Sequence, residues 1–376
     1  MLSLKKNKIH AAIFYGLNNI RNEEVCYNYD EKGGDGRGIS LKVKACAVCG
    51  YDVKVFRHGH RKVNPPVILG HEICGEIDQD ITFRSISSKK GKERLKAGSR
   101  VVISPVIPCL KCNYCNNKQY NLCTNLTEIG SSIDGGFAEN VRIPKNILDI
   151  GGIVPIPDCI ASEEAALLEP LACCLNGFSQ IGPVAQRDNV VIIGDGPIGL
   201  LHLQLSRNLY HARTAVVGKI PQRIQKAMSM GADSTTMIDN NNDDGGSDDT
   251  ARSISKILDF TDGIGANVII IATSDPAAFD FSLKIASKNS RINIFSGMTK
   301  SRNISFDPNW VHYNQISITG SFSSTPNSLQ EAVRIVSNQE IDLSRLISRS
   351  YSLTDIREAI LTTEKCLELR AVINKF

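Results

Sequence analysis

Strong charge of one sign is missing from this sequence. Its 43 Lys and Arg against 39 Asp and Glu leave a formal net charge of +4. So small a balance in so long a chain argues against a dedicated nucleic-acid binder, which needs a concentrated basic face. Long hydrophobic runs are missing too, and no stretch reaches the ~20 apolar residues of a membrane span. The N-terminal MLSLKKNKIHAAIFYG carries no signal-peptide apolar core or cleavage site. No internal repeat is visible. These absences point to a cytoplasmic protein with no membrane partner.

What is present is ordinary globular composition. The 376 residues are 42% hydrophobic and 22% charged, enough for two domains with proper cores. Cysteine is plentiful, at twelve. In a long chain without a secretion signal, clustered cysteines read as metal ligands in a reducing compartment.

Four of them, Cys109, Cys112, Cys115 and Cys123, fall in PCLKCNYCNNKQYNLC. The short gaps let thiolates converge on one ion, and four sulfurs close a tetrahedron around zinc. Such a site has no open position and is structural. An iron–sulfur cluster is the other occupant of four thiolates, but the last gap fits no common ferredoxin spacing.

The first 150 residues are punctuated by Gly and Pro, with short apolar stretches at 9–15 and 40–48 and few convincing helices. This predicts a β-rich, barrel-like part. Near residue 180 the pattern changes. Short β-rich runs at 189–193, 214–217, 234–238, 266–272, 290–295 and 316–319 alternate with helical patterns, notably 200–210, 221–230, 250–260 and 276–287. Such alternation predicts a doubly wound parallel sheet. Helices near 326–338 and 354–364 and a strand at 371–373 close the chain. Residues 239–249, acidic and of low complexity, and 84–96, basic and serine-rich, read as solvated surface loops.

Gly194-Asp195-Gly196-Pro197-Ile198-Gly199 is G-x-G-x-x-G, following an apolar strand and opening a helix. The first glycine permits the turn, the second admits a pyrophosphate, and the third lets helix and sheet approach. The cofactor's 2′ end is read at the end of the next strand, where NAD sites usually carry an acid. Here that strand runs Val216-Val217-Gly218-Lys219, with Arg223 beyond. Without the acid, and with Lys219 and Arg223 offering charge for a 2′-phosphate, NADP is favoured over NAD.

A second metal site is suggested by Cys49-Gly50-Tyr51-Asp52 and Gly70-His71-Glu72. One thiolate and one imidazole leave a third ligand to a carboxylate, Glu72 or Glu169, and a fourth position open.

Together these motifs resemble the zinc-dependent medium-chain dehydrogenase/reductases, the group of alcohol, sorbitol and threonine dehydrogenases. The likeness runs from Ala12 to Phe376. It implies an α/β protein with a GroES-like catalytic domain at 1–178, a Rossmann cofactor domain at 179–316, and a 317–376 segment returning to the first. By resemblance, Cys49 and His71 hold catalytic zinc, with Glu72 or Glu169 as carboxylate. Asp52 orients His71, and Arg370 contacts the cofactor's pyrophosphate. Two zinc ions per chain and a homodimer or homotetramer are also implied. Cys173 and Cys174 read as helix-buried thiols. Tyr51 departs from the family pattern, standing where a Ser or Thr hydroxyl usually passes on the substrate proton, and Lys54 stands where a histidine is common. The implied activity is hydride transfer between a nicotinamide cofactor and a secondary alcohol or polyol. The rivals are an NADPH-dependent aldehyde or semialdehyde reductase and a non-catalytic cofactor sensor. A zinc-ribbon nucleic-acid module is disfavoured by the few lysines and tyrosines around the quartet.

Overall fold

The computed structural model describes residues 7–27, 38–86, 91–238, 247–298, 306–366 and 368–376. The chain divides into two compact units, Met1–Cys173 with Ser323–Phe376, and Cys174–Phe322. No helix among the described residues is long and apolar enough to cross a membrane.

The first unit is built on a seven-stranded sheet. Its path runs Ile153–Pro155, Arg100–Ile103, Glu72–Ile77, Ile39–Val48, Arg370–Lys375, Ile347–Ser352, with Asn140–Ile143 also pairing Ile39–Val48. The central Ile39–Val48 strand is buried at eight of its ten positions, so it accepts neighbours along both edges. A three-stranded sheet of Asn19–Tyr27, Asn7–Gly16 and Val67–Ile68 packs into the same core, where Phe14, Leu41, Phe56, Ile73 and Phe137 are sealed from solvent.

Register on the central strand sets up the chemistry. Ala47 lies opposite Glu72, and Val48 lies opposite Ala371. Three chain segments distant in sequence therefore deliver Cys49, Glu72 and Arg370 to one end of three adjacent interior strands. The turn before His71 needs glycine: Gly70 has φ +90°, and a Cβ there would fall 2.8 Å from the Cys46 sulfur and 2.9 Å from the Phe137 ring.

The basic 84–96 stretch is not simply a loop. Ile81–Arg84 and Lys92–Leu95 pair as an antiparallel hairpin, because Ile81 and Phe83 alternate inward and provide an apolar face. Most of the acidic 239–249 segment lies outside the described residues. Its last three residues open the Ser247–Phe260 helix rather than ending a loop.

The second unit is a six-stranded parallel sheet ordered Ser234–Met237, Arg213–Gly218, Asn189–Ile193, Ala266–Ile271, Ala286–Ile294, Ser317–Gly320. In chain order that is 3-2-1-4-5-6, the dinucleotide-binding arrangement, whose strand order reverses at the first strand. All five residues of Asn189–Ile193 are buried, as a strand covered on both faces requires. The helix expected at 200–210 starts earlier, at Pro197, and its last part, Leu205–Leu209, is a π-turn.

His202 lies inside that helix, fully buried, between the Phe178 and Phe295 rings at 5.4 and 4.7 Å. Neither ring nitrogen has a hydrogen-bond partner among the described residues. Burial pulls its pKa down to about 3. Below the unfolded value of about 6.5 the unfolded chain takes up a proton that the folded chain refuses, so stability falls as the pH drops. Between pH 6.5 and 5 this single group removes about 2 kcal/mol. His202→Leu is expected to flatten the acid limb by that amount, read from denaturant midpoints at pH 7 and pH 5. An unchanged slope would assign the acid sensitivity to other groups.

Candidate active site

Cys49 leaves the central strand and caps the Gly50–His58 helix. Its thiol accepts the Tyr51 N–H at 3.3 Å, while the Asp52 carboxylate accepts the Cys49 N–H at 3.0 Å. This reciprocal cap fixes the thiol's direction. The ligand atoms of Cys49, His71 and Glu72 lie within 4.8 Å of one another, with the Cys49 Sγ 3.5 Å from His71 Nε2. A tetrahedral zinc ion with bonds of ~2.0–2.3 Å needs ligand separations of about 3.3–3.8 Å. Glu72 Oε2 is buried and has no hydrogen-bond partner among the described residues.

Charge also argues for a cation. Asp52, Glu72 and Glu169 are at most 4% exposed and sit with the Cys49 thiol around one buried guanidinium, that of Arg370. Burial pushes the Cys49 thiol up, and it pushes Glu72 up to about 7 against the pull of Arg370. Without a cation, burial disfavours the charged forms of these donors, and a bound divalent ion would favour them again. The residues present therefore fit a zinc ion.

The surrounding groups sort themselves by distance. His71 turns Nδ1 toward Asp52 Oδ1, 4.0 Å away, and Asp52 Oδ1 has no other described partner. That leaves Nε2 facing the thiol, the ring nitrogen placed to bind a metal. Glu169 stands outside the mutually close set. Its Oε1 accepts from the Cys173 thiol at 3.2 Å and the Ser324 hydroxyl at 3.1 Å. Cys173 is only partly buried, unlike Cys174. Tyr51 stands edge-on to both His71 and His60, at 5.6 and 5.4 Å between ring centres. His60 Nδ1 accepts from the Lys62 N–H, so the Tyr51 hydroxyl, 3.3 Å away, donates to the same nitrogen. Burial pushes the Tyr51 phenol well up, so it keeps its proton at neutral pH. His60 had no signal in the sequence, because its partner is brought close only by the turn after the Gly50–His58 helix. Lys54 is exposed.

Arg370 is only 4% exposed. Its guanidinium donates to the Val48 carbonyl at 3.2 Å and pairs with Glu72 at 3.1 Å. Its described bonds thus hold the zinc-side carboxylate. Breaking one half of a buried pair strands the other charge, at a cost of roughly 3–5 kcal/mol. Arg370→Met is expected to destabilise by that amount in denaturant unfolding, and adding Glu72→Gln to recover part of it. Near-wild-type stability for Arg370→Met would show that Glu72 is carried neutral.

Cys109, Cys112, Cys115 and Cys123 form the other convergent group, with all four sulfurs within 4.8 Å of one another. Cys112 Sγ lies 3.5 Å from that of Cys115 and 3.9 Å from that of Cys123. These separations bracket the ~3.8 Å edge of a tetrahedron with 2.3 Å zinc–sulfur bonds. No disulfide links the cysteines.

In the second unit the fingerprint glycines form a cradle. A Cβ at Gly199 would sit 1.9 Å from the Gly194 carbonyl, and one at Gly194 would sit 2.7 Å from the Ala272 carbonyl. At Gly196, which caps the Pro197–Gln204 helix, the nearest atom is Arg223 Nη1 at 3.9 Å, so that approach is open. Open space over a helix N-terminus is what a pyrophosphate requires. Pro197 and Ile198 form the first turn of that helix. Lys219 Nζ is 2.8 Å from Asp275.

The alcohol dehydrogenase GroES-like domain matches residues 35–158, and the zinc-binding dehydrogenase domain matches residues 197–338. The chain belongs to the zinc-type medium-chain dehydrogenases. It is a zinc-dependent oxidoreductase of that family. Among its relatives, D-arabitol-phosphate dehydrogenase of Enterococcus avium is 28% identical over 89% of each chain. Sorbitol dehydrogenase of Halalkalibacterium halodurans is 28% identical over 84% of this chain and 85% of its own. A zinc-binding dehydrogenase of Sinorhizobium meliloti, solved bound to NADP, is 26% identical with a TM-score of 0.80, over 98% of this chain and 99% of its own. The GroES-like and Rossmann folds of the family are those of the two units.

Proposed function

We propose that this dehydrogenase interconverts a secondary alcohol of a polyol or polyol derivative with its ketone, using a nicotinamide dinucleotide. The convergence of Cys49, His71 and Glu72 at one end of the central strands carries this reading. The polyol and polyol-phosphate relatives support the substrate class. We assign Cys49, His71 and Glu72 as catalytic zinc ligands, with Glu169 beside them. A second, structural zinc belongs to Cys109, Cys112, Cys115 and Cys123. Zinc at the first site supplies Lewis acidity toward the alcohol or carbonyl oxygen. Asp52 faces the Nδ1 side of His71, and Arg370 balances Glu72. Tyr51 stands beside His71 with a proton to give and His60 to hand it toward.

The cradle of Gly194, Gly196 and Gly199 takes the pyrophosphate over the helix opened by Pro197 and Ile198. Two readings of the cofactor's 2′ end follow. NADP is supported by Gly218, Lys219, Arg223 and the NADP-bound relative. NAD is favoured by the position of Asp195, argued below.

The test is a panel of polyols, polyol phosphates and simple secondary alcohols offered with NAD and NADP, against aldehydes offered with the reduced cofactors. Faster turnover of polyols supports this reading. Turnover confined to aldehyde reduction replaces it with the reductase. Tyr51→Phe is expected to lower the rate about tenfold and to change its pH profile. An unchanged profile would leave Tyr51 a shape-determining residue only. Homodimer or homotetramer assembly is carried over from the resemblance and is checked by light scattering.

A further inference from the structure

Asp195 is the second residue of the glycine-rich fingerprint, a position the motif leaves unspecified. We propose that Asp195 reads the adenosine ribose and directs this site toward NAD(H), in place of the acid that the second strand lacks. The inference rests on the dinucleotide reading of the second unit.

The second strand of that sheet, Arg213–Gly218, ends at the position where a ribose-binding acid normally projects. A Cβ built on Gly218 would lie 2.4 Å from Asp195 Oδ2 and 2.6 Å from its Cγ. The space that Gly218 leaves is therefore filled by a carboxylate arriving from the neighbouring strand's turn. It is not free for a phosphate. The two features are complementary: the aspartate fits because residue 218 has no side chain.

The donors around it are committed as well. Asp195 Oδ2 accepts the Lys219 N–H at 2.8 Å and the Ile220 N–H at 2.7 Å. Two backbone donors that could face a 2′-phosphate thus face Asp195. The Lys219 ammonium is 2.8 Å from Asp275. Both described bonds to the carboxylate fall on Oδ2, leaving Oδ1 for a ribose hydroxyl. Asp195 is 8% exposed, so salt screens its charge weakly. A 2′-phosphate brought against it meets like charge, whereas a 2′-hydroxyl meets an acceptor.

The experiment uses the full-length, zinc-loaded protein. NADH and NADPH are titrated by nicotinamide fluorescence into wild type, Asp195→Asn, and the double variant Asp195→Ala/Gly218→Asp. Asparagine keeps an oxygen for the two N–H groups and removes the charge. Wild type is expected to bind NADH at least about tenfold more tightly than NADPH, as a hydrogen bond to a charged group implies. Asp195→Asn is expected to shrink that ratio by about tenfold, and the double variant to restore it by supplying the carboxylate from the strand. A ratio unchanged in Asp195→Asn, or a wild-type preference for NADPH, overturns the proposal and leaves Asp195 as a tie between two loops. Failure of wild type to bind either cofactor overturns the dinucleotide reading itself, and the proposal with it.

Discussion

Cys49→Ser is expected to lower kcat/KM by about a thousandfold or more, with the fold retained. The size follows from the several kcal/mol that a Lewis-acid metal contributes, at about 1.4 kcal/mol per tenfold. A serine hydroxyl does not ionise near neutral pH, so the position ceases to offer an anionic ligand. Three observations make the loss specific. The thiol is fixed by the reciprocal cap with Asp52, so no neighbouring group can swing into its place. His71 Nε2 faces that sulfur at 3.5 Å. Glu169, outside the mutually close set, is occupied by Cys173 and Ser324. The variant should retain one zinc per chain by metal analysis, and its cofactor titration should match wild type, because the glycine cradle belongs to the other unit. Normal turnover in a metal-replete Cys49→Ser protein would remove Cys49 from the site.

That the cysteine and histidine were legible in the sequence, while the carboxylate was not, has a physical reason. Short motifs report their own geometry: a strand that runs into Cys49, a glycine turn before His71, four thiols on a tight loop, glycines between strand and helix. Glu72 and Glu169 are each followed or preceded by equally plausible neighbours, and only strand register separates them. The pairing of Ala47 with Glu72 places one carboxylate beside the thiol. The pairing of Val48 with Ala371 then brings Arg370 onto that same carboxylate. No periodicity could have paired Arg370 with Glu72. Asp195 is the same kind of case. Its neighbours announced a phosphate turn, but its partner is a missing side chain at Gly218, and an absence is read as empty space until a structure shows what fills it.

Cys112→Ser is expected to strike stability where Cys49→Ser strikes chemistry. The lobe around the quartet holds only the short Asn113–Asn116 and Tyr120–Leu122 helical turns, packed on Val106, Tyr120 and Ile150. So small an apolar cluster cannot order a loop of this length by burial alone. The thiols are already arranged for an ion, and the N–H groups of Cys115 and Thr124 hold Cys112 down to about 5, so it is a thiolate at neutral pH. Burial pushes the Cys115 and Cys123 thiols up, so without a cation the quartet mixes thiol and thiolate. With zinc, all four sulfurs can become thiolate ligands, and the binding free energy becomes folding free energy. Serine at 112 leaves three sulfurs and an open, hydrated position. The expected result is loss of one zinc per chain and a destabilisation of about 4 kcal/mol or more, the range reached when a structural metal is removed. Limited proteolysis should then cut within residues 109–123, while cofactor affinity holds at its wild-type value. A chelator applied to wild type should reproduce the cut, but it would strip the Cys49 site as well, so the variant isolates the structural effect. If Cys112→Ser kept both zinc ions and the wild-type unfolding midpoint, the quartet would be four buried thiols and no metal centre.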